Sequence, residues 1–148
     1  MKRTERMSRV ADVADARADQ ARLQFAEQQR RVAMGEEKLA ELQRFRDEYA
    51  DLFSAGNEVG VLQLLNHRQF LQRLNEAITF QSHQLESYRS NLTREHVRVR
   101  EAHSRAKALE NIVQRLNKQD QQAIERVEQA QSDERTLNQY STLLWSDE

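Results

Sequence analysis

One pattern limits this chain more than any other. From Leu71 to Leu144 apolar side chains recur at alternating steps of three and four: Leu71, Leu74, Ile78, Leu85, Tyr88, Leu92, Val99, Ala102, Ala106, Leu109, Val113, Leu116, Ala123, Val127, Ala130, Leu137 and Leu144. Polar residues interrupt the series only at Gln81, Glu95, Asp120, Glu134 and Ser141. A repeat of about 3.5 residues sets all these side chains on one narrow stripe of a helix, the seam of a coiled coil. A disordered chain would not keep that register over about ten heptads.

Composition matters here for what it excludes. The 148 residues contain no proline, so nothing forces a helix to stop or kink. A charged fraction of 32% and a mean hydropathy of −0.93 would by themselves also suit disorder; the periodicity decides for long exposed helices. Three glycines are too few for the many turns of an all-β domain. Without cysteine there is neither a disulfide framework nor thiolate chemistry, which fits a reducing cytoplasm. The basic stretch Met1–Arg9 is not followed by the apolar run of a signal peptide, and no run approaches the ~18 apolar residues of a membrane span.

The first half carries a weaker seam: Ala11, Ala14, Ala18, Ala21, Phe25, Gln28, Val32, Gly35, Leu39, Leu42, Arg46, Tyr49 and Phe53. Its opening run of alanines allows close helix approach but buries little area per residue. Between the halves lies one break, Ser54-Ala55-Gly56-Asn57-Glu58-Val59-Gly60. Gly56 suits the position just past a helix end. Asn66 reads as an N-cap with Gln69 three residues on, and Leu65 and Phe70 stand at the two positions of a hydrophobic staple. A start near Glu58, with Val61–Leu65 already helical, stays open beside it.

The fold expected is all-α: one domain over 1–148, an antiparallel coiled-coil hairpin of two long helices, with the second longer and overhanging. Helix one spans about 4–54, the bend about 55–65 and helix two about 66–145, or ~75 Å and ~120 Å at ~1.5 Å per residue. A short connection favours antiparallel packing. With the turn near residue 60, Gly35 meets Leu85, Ala21 meets Val99 and Leu42 meets Ile78, small against large.

Two consequences follow from this register. Residues from Asn117 onward have no partner on helix one. The tail is therefore either frayed or a tip that orders inside a partner, with Leu137, Leu143, Leu144 and Trp145 clustered near its end. The second consequence concerns the flanks of the seam near the bend. One carries Phe45, Leu52, Phe70 and Ala77, with Phe45 near Ala77 and Leu52 near Phe70; the other carries Gln43, Ala50, Arg68, Asn75 and Ser82. The apolar flank is either a contact site or covered by Val61–Leu65 folding back.

Catalytic chemistry is not expected. The histidines are His67, His83, His96 and His103; the last two lie on one face but ~10 Å apart along a helix, too far for one metal. There is no HExxH, phosphate-binding loop or GxGxxG, and two bare helices enclose no pocket that would shift a pKa. No enzyme activity, cofactor or metal is expected. Nucleic-acid binding is not expected either: 23 basic and 24 acidic residues nearly cancel, and the basic clusters lack aromatic platforms. The cluster Lys2, Arg3, Arg6 and Arg9 is notable for its place, a basic collar beside helix two just before the overhang begins.

The stretch Leu39, Leu42, Phe45, Glu48-Tyr49, a glycine-containing bend, then Asn66-His67-Arg68-Gln69-Phe70-Leu71, Leu74, Ala77-Ile78, Gln81 and Leu85 resembles the flagellar FliJ proteins. The diagnostic part covers about 39–85, and the remainder matches as coiled coil. The resemblance implies a component of the flagellar type III export apparatus, cytoplasmic and peripheral at the inner-membrane face of the flagellar base, with no membrane span. It implies a stalk-like coiled coil that inserts into the hexameric FliI-like export ATPase and promotes ring assembly. It also implies contact with the FlhA-like export-gate protein and escort of export chaperones. By motif the gate surface falls on Leu42, Phe45, Tyr49, Phe70, Leu74, Ala77 and Gln81, and the apolar flank adds Leu52. Phe45 stands where some relatives carry Tyr, and Gln81 where some carry His. The stalk analogy assigns the ring contact to the chain ends, Lys2, Arg3, Arg6 and Arg9 with Leu137, Leu143, Leu144 and Trp145. The competing reading is an unrelated structural or adaptor coiled coil, possible as a homodimer through helix two, which leaves Ala11–Phe53 without a role.

Overall fold

The computed structural model describes residues 2–54 and 60–146, the side chains of Phe53 and Ser54 excepted. It contains two helices, α1 (Lys2–Ser54, 53 residues) and α2 (Val61–Ser146, 86 residues), and no strand among the described residues. The all-α fold with a longer second helix is thus the one the periodicity dictates. Both helices pass through two compact units, Asp19–Glu101 on the one hand and Met1–Ala18 with Ala102–Glu148 on the other.

In the unit Asp19–Glu101 the helices pack antiparallel. Rising numbers on α1 face falling numbers on α2: Phe25 meets His96 at 5.5 Å between ring centroids, Gly35 meets Leu85, and Phe45 meets Phe70 at 6.1 Å. Every described α1 seam residue of this unit is buried or partly buried, and so is every α2 seam residue from Leu71 to Val99. The closest approach is at Gly35, where a Cβ would stand 3.1 Å from Leu85 Cδ1. Leu85 fills the space that glycine leaves and is only 2% exposed. One interhelical ion pair, Arg89 to Glu36 at 3.1 Å, crosses on the solvent side and contributes little at that exposure.

In the other unit, Ala14, Ala18 and Ala106 form a small buried cluster with Ala102 and Leu109 against it. Alanine opposite alanine brings the backbones close but removes little apolar area from water. The pairing ends on a polar contact: the Thr4 hydroxyl donates to Asp120 Oδ2 at 2.6 Å. Helix two therefore stays partnered to Asp120, about one turn past the Asn117 limit expected from the register. Thr4 and Met7 explain the extension, because they continue the α1 seam by the same steps and are partly buried. From Gln121 to Ser146 every residue of α2 is exposed.

The start of α2 differs from the capped start at Asn66. Its first bond runs from the Leu64 N–H to the Gly60 carbonyl at 3.0 Å. Gly60 thus holds the cap position, and Asn66, with the staple pair Leu65 and Phe70, lies inside the helix. Of the two starts left open by the sequence, the earlier one is found. Val61–Leu65 lacks proline and glycine, so nothing in it stops the helix. Gly56 lies outside the described residues.

Candidate interaction surfaces

The first surface belongs to the unit Asp19–Glu101 and gathers the residues nearest the connection. Tyr49, Phe70, Phe45 and His67 form one ring cluster. Tyr49 stacks on His67 at 4.7 Å with 24° between planes, meets Phe70 at 4.5 Å and lies 6.4 Å from Phe45. Phe70 also takes an edge-on contact from Phe45, an arrangement favoured by the ring quadrupoles. The ring contacts give Phe70 two aromatic neighbours on α1, Tyr49 and Phe45. Phe70 lies level with Tyr49, and its ring is long enough to reach Phe45 one turn away.

Burial divides the proposed gate residues into two sets. Leu74 is buried, and Leu42, Tyr49 and Gln81 are partly buried, so these four belong to the seam. Phe45 is 49% and Leu52 62% exposed, while Phe70 and Ala77 are half-buried beside them. Val61–Leu65 does not cover this flank: it is the first part of α2, and Val61 and Leu62 are themselves exposed. The flank near the connection is therefore an open apolar surface with an aromatic floor. His67 is the residue missed here. At 6% exposure it is a seam residue, and stepping the α2 repeat back by four from Leu71 would have found it.

The second surface belongs to the other unit. Lys2, Arg3, Arg6 and Arg9 are all exposed. Leu137, Tyr140, Leu143, Leu144 and Trp145 are exposed as well, Trp145 at 76%. The fold does not bring these two sets together. Thr4 holds the basic turn level with Asp120, and Leu137 lies 17 residues on, about 25 Å further along α2. The collar, on α1, and the tip, on α2, stand at successive levels along this unit and are not one site.

Among the described residues no three His, Cys, Asp or Glu side chains converge on a metal position, and no helix is long and apolar enough to cross a membrane. What both surfaces present is apolar area beside charge, the composition of protein contact sites.

A family model described as the flagellar FliJ protein matches residues 1–142. The chain belongs to the FliJ family. The FliJ match extends well beyond the diagnostic stretch of about 39–85 and takes in both coiled-coil arms. No curated protein matches the chain, and no solved structure does. As a FliJ-family chain it is a component of the flagellar export apparatus, a family whose role there is non-enzymatic.

Proposed function

We propose that this FliJ-family protein acts as a stalk for the export ATPase and as a link to the export gate. The observation that carries the reading is the unpaired end of α2. From Gln121 to Ser146 the helix is exposed on every side, although an isolated helix with this seam is marginal in water. Leu137, Leu143, Leu144 and Trp145 are costly to leave in water and serve as anchors once buried in a partner. A single helix is about 10–12 Å across with its side chains, so it enters a ring opening that would exclude a folded domain. Behind it the basic turn Lys2–Arg9 offers a collar for an acidic rim. Contacts with several ring subunits at once favour the assembled hexamer over free subunits by mass action.

The link to the gate runs through Phe45, Leu52, Phe70 and Ala77, with Leu42, Tyr49, Leu74 and Gln81 holding the two helices beneath them. Escort of export chaperones belongs to the same proposal, as does a peripheral location at the cytoplasmic face of the inner membrane.

The test is ATP hydrolysis by the cognate export ATPase, with and without this protein, over a range of ATPase concentrations. Stimulation should be largest at low ATPase concentration, where ring assembly limits the rate. Deleting residues 130–148 should remove it. If the deletion leaves stimulation intact, the ring contact does not lie at this end.

A further inference from the structure

The bare end of α2 keeps the heptad seam although α1 no longer covers it. From Gln121 to Ser146 the steps of three and four run through Ala123, Val127, Ala130, Glu134, Leu137, Ser141 and Leu144, all exposed. Leu137 is 70% and Leu144 74% exposed. A bare apolar stripe at coiled-coil spacing invites pairing with a second copy of itself. Midway along this one stands a carboxylate, Glu134.

The residues around Glu134 leave its charge uncompensated. Its neighbours three and four positions away are Ala130, Gln131, Leu137 and Asn138, none of them cationic. Its side chain makes no ion pair among the described residues. Asp133 borders the seam on one flank, with neutral Gln131 and Asn138 on the other. The cations of the bare stretch are Arg126, two turns back, and Arg135, on the side of the helix away from the seam. The other two acids in the α2 seam have donors. Glu95 holds Arg98 at 3.0 Å, and Asp120 accepts the Thr4 hydroxyl at 2.6 Å.

We propose that Glu134 bars the bare end of α2 from pairing with a second copy of this chain and so keeps its apolar stripe open for another partner. In a parallel, in-register pair each seam residue faces its own copy, so Glu134 meets Glu134 with Asp133 of each chain beside them. A parallel zipper through all of α2 would also set Glu95 against Glu95 and Asp120 against Asp120. In the two antiparallel registers that overlap most of the bare stretch, Glu134 faces Leu137 or Ala130 of the other copy. The two carboxylates then occupy neighbouring layers, ~5–6 Å apart along the axis. Free in water, the carboxylate is hydrated and unopposed; in a self-paired seam it would lose water beside a like charge. One acid is enough because the stripe is thin: Ala123 and Ala130 bury little area on pairing. The bar acts between copies of the chain and does not depend on which partner receives the tip.

The test is the mass of the full-length chain in solution, measured by sedimentation equilibrium over a range of concentrations. The wild-type chain should remain a monomer. Glu134→Leu should tighten self-association about tenfold or more, and Glu134→Leu with Ser141→Leu, which completes the stripe, should tighten it further. Ser141→Leu alone keeps the carboxylate and should stay close to wild type. In that background Glu134→Lys should be monomeric by itself yet pair with the chain that retains Glu134 when the two are mixed, because opposite charges then meet. Deleting residues 121–148 from the Glu134→Leu chain should restore the monomer. Circular dichroism of each variant checks that the helices persist. If Glu134→Leu stays as monomeric as wild type, even with Ser141→Leu, Glu134 is not the bar and the proposal fails. It fails equally if the wild-type chain dimerises and the deletion abolishes the dimer, or if the leucine variants still dimerise after the deletion.

Discussion

The contact between Gly35 and Leu85 gives a sharp test of the register. Leu85→Ala removes three carbon atoms from a side chain that is 2% exposed. At about 0.8 kcal/mol per buried methylene the transfer loss is roughly 2.4 kcal/mol. The residue opposite is glycine, so no side chain can relax into the gap, and a cavity contribution raises the loss to about 3 kcal/mol. Gly35→Ala tests the same layer from the other side. In the wild-type chain its helix-propensity gain of about 1 kcal/mol is opposed by the 3.1 Å approach to Leu85 Cδ1, and the net change should be small. With Leu85→Ala already in place that obstacle is gone, and the added methyl group fills part of the gap. Gly35→Ala should then stabilise by about 1 kcal/mol or more, a coupling typical of residues in direct contact. Urea unfolding followed by circular dichroism at constant m-value measures all four corners of the cycle. A loss below about 1 kcal/mol for Leu85→Ala, or the same effect of Gly35→Ala in both backgrounds, would refute a close-packed layer at this position.

Other expectations follow from exposure and contact. Truncation after Asp120 should leave the melting temperature within about 2 °C of the full chain, since the removed helix packs on nothing, while the helical signal falls with the lost residues. Thr4→Val should cost about 1 kcal/mol locally, seen as faster hydrogen exchange over the first turns of α1 with the remainder unchanged. Glu36→Ala should shift stability by less than about 0.5 kcal/mol, because the pair with Arg89 is exposed on both sides; a larger loss in thermal melts would mean that this bridge fixes the register.

Burial separates the residues that hold this unit together from those of the proposed contact. Leu74 and Leu85 are buried between the helices and hold them together. Phe45 and Leu52, one position outside the α1 seam, stay in water. A substitution at Leu74 therefore acts on folding and on any partner at once. Leu52 is 62% exposed, so its substitution should leave stability unchanged and is the cleaner place to test the proposed gate contact apart from folding.

The helices, the seam and the place where the pairing weakens were legible in the order of the residues. Those features follow from periodicity along one chain, and the 3.5-residue repeat needs no knowledge of the partner to mark which side of each helix is buried. Accordingly, every described seam residue of α1 from Ala11 to Tyr49 is at least partly buried, and the α2 seam is covered up to Asp120 and bare beyond it. The tertiary structure alone decided how the ends of the pairing are made. The bond from Thr4 to Asp120 joins positions 116 residues apart, and an isolated Asp at a seam position reads as a defect until its donor is seen. The stack of His67 on Tyr49 likewise depends on the axial offset of the two helices and on the reach of the rings. Gly60 took the cap because the backbone of Val61–Leu65 could continue the helix, whereas the side chain of Asn66 only permitted a start. Periodicity is a property of one helix; register, cap choice and ring contacts depend on two helices meeting, and only packing supplies that information.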